Sequence, residues 1–334
     1  MTKTLSAPPA IEAGGLKNRL IGNLMTRRTG GPILVLVILF VGFSIMSTQF
    51  GTPANFMNLT RQSSVLLLIA LAGTFPIIMG SIDLSVGAIA SLAAVSGAVL
   101  LRDYESPMML LLVPLLGACA GAVNGLLIAY AKLPSFMVTL GSMFVFQGVV
   151  LYVSEGTPIP VGNLGVFGDF FAGSFLFGFP NIAVFALLVM LAVAAVAKWT
   201  RFGRFVYAIG GGESVSKLSG VPVRRVKFLV YVVSGALASV GGILLMLRVQ
   251  SGSPGIGDPF LLAAVGAIVV GGTPLTGGLG GPHRTLLGVV IMGGLANGMS
   301  VAMVHPYLQT VITGAVVVGA VALTIDRSRL SVVK

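Results

Sequence analysis

The chain is 334 residues long, 56% hydrophobic and only 9% charged, with twenty Lys and Arg against nine Asp and Glu. A soluble domain of this length needs a surface of roughly 25% charged residues, so a water-soluble globular class is excluded and lipid is the solvent that fits. The net charge of +11 then reads as the cytoplasmic bias of Lys and Arg in membrane proteins, and no nucleic-acid partner is expected.

Residues 1–30 are polar and basic, with Lys3, Lys17, Arg19, Arg27 and Arg28, and are predicted to be a mobile cytoplasmic tail. The apolar run "PILVLVILFVGFSIM" comes next. Its charged leader is long for a signal peptide and no small-residue cleavage site follows, so it is expected to be a retained first span. Counting this run, apolar segments fall at about Pro32–Ser47, Val65–Gly80, Leu84–Leu101, Met108–Ala131 and Phe136–Val153. Five more follow at Ile182–Ala197, Phe228–Leu247, Phe260–Gly271, Leu286–Met303 and Leu308–Thr324. A hydrocarbon core ~30 Å thick takes about 20 helical residues to cross. The expectation is an all-α polytopic membrane protein with about ten crossings over 31–325. Several segments are short or rich in glycine, which suits tilted, broken or partial spans. A short cytoplasmic tail, 326–334, completes the chain.

Charge sets the expected orientation. With both termini inside, seventeen of the twenty Lys and Arg fall on cytoplasmic segments, and only Arg61, Arg102 and Arg248 do not. The outer segment Ser154–Pro180 has no Lys or Arg, as the positive-inside rule requires. Lys198–Lys227 carries seven of them.

An internal repeat is also visible. "GAVNG" (Gly121–Gly125) and "GLANG" (Gly294–Gly298) share one pattern, and a proline, Pro134 or Pro306, stands ten or nine residues after the asparagine of each. Upstream, "GSIDLSVG" and "GSPGIGD" stand 44 and 45 residues before Asn124 and Asn297. The copies fall on the fourth and ninth spans and so point opposite ways, as in the inverted repeats of transporters.

No residue set suits covalent chemistry. H-E-x-x-H, G-x-S-x-G, Cys/His clusters with metal spacing and a P-loop are all missing from the sequence. No catalytic, metal or cofactor residue is therefore expected, and "GGTPLTGGLGGP" reads as a tight turn. With Cys119 the single cysteine, no internal disulfide is possible.

Spaced glycines carry more information. Gly117, Gly121 and Gly125 share one helical face, and Gly294 and Gly298 repeat the spacing, which lets helices approach closely in lipid. Asn124 and Asn297 beside them would clamp helices by hydrogen bonds or line a polar solute path. Asp83 is expected either to cap the third span from a cytoplasmic turn or, if deep, to serve as an ion site. In the basic loop, "ESVSKLSG" can form a short helix bounded by Gly211 and Gly212 before it and Gly220 after it. Its Val215 and Leu218 share a face, flanked by Glu213 and Lys217. A helix this short is marginal alone and needs a packing partner.

The motifs "GSIDLSVGAIASLAAV", "LPSFMVTLGSMFVFQGVVLYVSEGTPIP", "RFGRFVYAIGGGESVSKLSGV" and "GAIVVGGTPLTGGLGG" resemble the permease subunits of ribose-type bacterial ABC importers, from about Asn55 to Arg327. The resemblance implies an inner-membrane, multi-pass permease for a monosaccharide or related small polar solute. It also implies pairing with itself or a paralogous permease, a separate cytoplasmic ATPase that binds the ATP, and a periplasmic sugar-binding protein. The loop at Gly210–Val223 matches the family's coupling helix. Two departures stand out: Gly211-Gly212-Glu213 where the family has "GGN", and "GPHR" in the Gly-rich turn. The alternative is a self-contained ion-coupled secondary transporter or channel, with Asp83, Asn124 and Asn297 at its ion site.

Overall fold

A computed structural model describes residues 30–161, 165–175 and 178–324. Except for Gly30, which begins the first helix, the predicted tails, 1–30 and 326–334, lie outside the described residues. Among these, the apolar segments become helices α1 (Gly30–Met46), α2 (Pro53–Ile78), α3 (Val86–Tyr104), α4 (Val113–Ala129) and α5 (Ser135–Ser154). A short α6 (Gly165–Ala172) precedes α7 (Asn181–Trp199), and α8 (Arg201–Gly211) and α9 (Glu213–Leu218) lead to α10 (Val223–Val249). The described residues end in α11 (Asp258–Val270), α12 (Pro282–Val301) and α13 (Pro306–Thr324). Among the described residues, seven helices are long and apolar enough to cross a membrane, α4 counted with the 3-10 turn Pro107–Leu112 before it. Three more, α1, α11 and α13, are shorter apolar helices. The departure from an all-α chain is a two-residue antiparallel pair, β1 (Ile159–Pro160) with β2 (Ser251–Gly252), plus the isolated bridge Ser174–Pro180.

The second helix begins twelve residues before the apolar run that marks it. Thr52 caps it by accepting the Asn55 amide at 3.3 Å, and Pro53 sits where no amide partner is needed. Its inner stretch, Val65 to Ile78, is wholly buried, so α2 is the core helix. α10 packs beside it and also against α4, where glycines bring the backbones together. A side chain at Gly121 would overlap the Tyr231 carbonyl oxygen, and one at Gly235 the Gly117 carbonyl oxygen. Gly117 and Gly125 lie against Ser239 and Phe228 of α10 in the same seam. Such interlock needs residues without Cβ atoms.

The helix α11, with 13 residues, is ~20 Å long and too short to span alone. The chain before it turns back along α3: Gly252 packs on Ala94 and Ala98, and Gly257 on Gly87 and Ser91. The Gly257 amide donates to Ser91 Oγ at 2.9 Å. Both α3 and α11 therefore start inside the bundle, with their first turns in contact. By contrast, α5 and α13 lie at the outside and leave Phe144, Val145, Leu308 and Val311 exposed.

Candidate functional site

The basic segment Lys198–Lys227 is more ordered than a loop with one short helix. Its first half is α8, whose Val206 and Ile209 are buried while Arg201 and Arg204 stay exposed. Thr200 caps it through the Gly203 amide at 3.1 Å. Close contact fixes its far end. A side chain at Gly210 would overlap the Ile78 carbonyl oxygen, and the Tyr207 hydroxyl donates to the Gly280 carbonyl at 3.0 Å. Burial pushes the Tyr207 phenol above its ordinary value, against the lowering effect of the Arg284 guanidinium.

The Gly-rich turn is thus built into the same end of the bundle. The Gly278 amide donates to the Ile78 carbonyl at 2.8 Å, and Arg284 donates to the Gly272 carbonyl at 2.9 Å. Gly277, Gly278 and Gly280 have φ of +82°, +76° and +109°, a region that side chains resist. It is the tight turn expected from "GGTPLTGGLGGP".

Gly212 separates α8 from α9, with Gly211 open to space on one side. The six residues of α9 end at Ser219, and Gly220 follows at φ +80°. The Val221 amide donates back to the Ser216 carbonyl at 3.0 Å and closes the turn. Ser216 is buried against the fold, whereas Val215 is 69% and Leu218 89% exposed. Glu213 and Lys217, four apart, take the other side of the helix. Glu213 Oε2 receives the Lys227 ammonium at 2.7 Å and ties α9 to α10. An apolar pair is thereby held outward on a braced knob.

Asp83 differs from its expected place at a cytoplasmic turn. Gly80 is exposed, but the chain then folds inward and leaves Asp83 only 4% exposed. One carboxylate oxygen accepts the Ser85 amide at 3.0 Å and the Ser85 hydroxyl at 2.6 Å. The other accepts the Ser234 hydroxyl at 2.7 Å. Ser234 lies eleven residues into α10, which is ~16 Å along it. Asp83 does not receive the first amides of α3, because its bond goes to Ser85, the residue before that helix. Three donors are what allow a carboxylate to sit this deep.

Asn124 joins the same network, donating to Ser85 Oγ at 2.9 Å, while its own oxygen is buried with no hydrogen-bond partner among the described residues. Asn297 lies elsewhere. It exchanges two hydrogen bonds with Asn55, at 2.8 and 3.0 Å, and joins α12 to the start of α2. Its glycine neighbours meet rings of α1. Gly298 leaves room for Phe43, and a side chain at Gly294 would come within 3.1 Å of Phe40. The structure does not bring Asn124 and Asn297 together.

Sequence reasoning passed over a polar cluster at the opposite end of the bundle from α9. Arg248 and Gln62 line a cavity of about 620 Å³ together with Asp258, Gln309 and Thr310, between α2, α10, α11 and α13. They also line a second cavity, of about 340 Å³, with Asn58, Arg61 and Gln250. The signal was present: Arg61 and Arg248 are two of the three cations that break the charge bias. The third, Arg102, is spent on Asp103 at 2.8 Å.

Residues 55–321 match the family described as "Branched-chain amino acid transport system / permease component". The chain belongs to this family. It is 38% identical over 301 residues to the ribose import permease protein RbsC of Bacillus subtilis, covering 90% of this chain and 92% of that one. It is 35% identical to the Escherichia coli protein of the same name, over 86% and 91%. It is 32% identical to the D-allose transport system permease protein AlsC of Escherichia coli, over 88% and 90%. Among solved structures, a metal-chelate type ABC transporter in an inward-facing conformation superposes with a TM-score of 0.50. It has 17% identity and covers 90% of this chain and 99% of that one, so that likeness speaks for the fold alone.

The chain is therefore the permease component of an ABC importer, a multi-pass protein of the bacterial inner membrane that catalyses no covalent step. An ABC permease works with an ATPase and a binding protein, so the driving force lies in another chain. The ion-coupled alternative is set aside, and Asp83 is a hydrogen-bonded part of the bundle.

Proposed function

We propose that this permease passes a monosaccharide of the ribose or allose class by alternating access, with its termini and α9 on the cytoplasmic side. The substrate class follows the names of these relatives, ribose for two and allose for one. The Arg248–Gln62–Asp258 cavity suits a solute with many hydroxyls, since it offers both donors and acceptors. It opens at the end where a binding protein would deliver the sugar. A second permease, identical or paralogous, covers exposed apolar faces of α5 and α13.

The inverted repeat is supported by the pairing of its two upstream motifs. "GSIDLSVG" and "GSPGIGD" lead into α3 and α11, whose first turns touch at Gly87 and Gly257. Asn124 lies five residues before the end of α4 and Asn297 four before the end of α12, at opposite ends of the bundle, as copies of opposite direction require.

The observation that carries the coupling mechanism is the exposure of Val215 and Leu218 on a helix anchored at both ends. A six-residue helix has too few internal hydrogen bonds to hold itself. The ATPase would bury the apolar pair, and α9 would transmit nucleotide-driven motion to α10 through the Glu213–Lys227 contact. Differential binding of the ATPase states then drives the permease between conformations. The test is uptake into proteoliposomes holding permease, ATPase and binding protein. ATP-dependent accumulation of labelled ribose or allose is expected. Uptake that follows a proton gradient and ignores ATP would overturn the reading.

A further inference from the structure

Beside α9 lies a cavity of about 770 Å³. Its cations come from three separated parts of the chain: Lys132 from the α4–α5 turn, Lys217 from α9, and Arg224, Arg225 and Lys227 from the start of α10. The one carboxylate, Glu213, is already engaged by Lys227. Five cations stand against one acid here, and an anion among them would relieve their mutual repulsion. Lys132 adopts φ +59°, a left-handed conformation that costs a lysine energy and carries its side chain to the cavity.

The surroundings define the anion further. Ser81 and Ser135 add hydroxyls to the lining. Hydroxyls and forked guanidinium groups together suit the several oxygens of a phosphate. Toward the bundle wall the cavity is edged by Tyr130 and Leu133, and exposed Phe136 and Met137 continue that edge along α5. A ligand with a charged head and apolar tails matches both parts, and basic pockets between spans on the cytoplasmic side hold such heads.

We propose that this cavity is a phosphate site for the headgroup of an anionic phospholipid, and that its occupant braces α9 against α10 and the α4–α5 turn. The two sides of α9 then divide its work: Val215 and Leu218 face outward, while Glu213 and Lys217 face the lipid. The inference borrows only the position of α9 from the proposed function. Lipid retention is read without sugar or ATPase, so its failure would leave that reading untouched.

The test uses the full chain purified in detergent, with native mass spectrometry for retained lipid and melting followed on lipid addition. The parental protein should retain phosphatidylglycerol and melt several degrees higher with it than with phosphatidylcholine of the same acyl chains. Lys132→Gln with Arg224→Gln and Arg225→Gln should cut retention about tenfold and abolish the difference. Lys217→Gln, on the exposed α9, serves as the second variant should the triple one elute as aggregate, and should lower retention severalfold. Inorganic phosphate that stabilises the parental protein as much as phosphatidylglycerol would overturn the lipid source in favour of a soluble anion. Equal retention of both lipids in parental and variant proteins would overturn the site.

Discussion

Asn55 and Asn297, 242 positions apart, exchange two hydrogen bonds across a buried contact between α2 and α12. Each amide satisfies the other, and Asn55 also donates to the Phe50 carbonyl at 2.9 Å. Interhelical bonds of this kind contribute roughly 0.6–2 kcal/mol in lipid. Asn55→Ala and Asn297→Ala should each lower the melting temperature in detergent, and the double variant should cost less than the sum of the two. A strictly additive pair would mean that the two amides do not act as one clamp.

The glycine seams should differ in tolerance. Gly121 faces the Tyr231 backbone, which cannot move aside, whereas Gly294 faces the ring edge of Phe40, which can. Gly121→Ala should already reduce monodisperse protein on size exclusion. Gly294→Ala should leave the yield near parental, and Leu should be harmful at both positions. Equal tolerance of alanine and leucine at Gly121 would place that face in lipid.

The ten apolar segments were legible because hydropathy alone reports them, and the short α9 was legible from its glycine boundaries. Other features depend on tertiary contacts that no local pattern encodes. The stripe Gly117–Gly121–Gly125 announces close approach but does not say that α10 is the partner. Asp83 looks like a rim residue because its flanks are Gly and Ser. Its depth follows from Ser234, 151 positions away. The helix α8 was hidden because its eleven residues are held by tertiary contacts, the burial of Val206 and Ile209 and the bond from Tyr207 to Gly280 among them. Arg61 and Arg248 could have been read as site residues from their defiance of the charge bias alone.

Removing the Ser234 hydroxyl isolates one question, whether Asp83 needs all its donors. Ser234→Ala takes one of three hydrogen bonds from a buried carboxylate, at a cost of about 1–3 kcal/mol. Asp83→Leu removes the acceptor and orphans the Ser85 and Ser234 hydroxyls, and should destabilise more. Thermal unfolding of the two variants should rank them in that order. The reverse ranking would show that Asp83 is tolerated rather than required.

Orientation is open to direct labelling. Cys119 is exposed, so single cysteines are best introduced on a Cys119→Ala background. Those at Thr157 and Phe170 should react with an impermeant thiol reagent from outside the cytoplasmic membrane, and those at Ser214 and Ser219 should not. The opposite pattern would invert the topology.

The central claim is that α9 docks the ATPase through Val215 and Leu218, and copurification of the ATPase with the permease tests it most directly. Val215→Asp with Leu218→Asp would place two unpaired carboxylates in an apolar interface, at a cost of several kcal/mol. Both side chains are exposed in the isolated chain, so insertion and abundance should stay at parental levels. ATPase capture and ATP-driven uptake should both be lost. A double variant that holds the ATPase and transports at the parental rate would contradict the account.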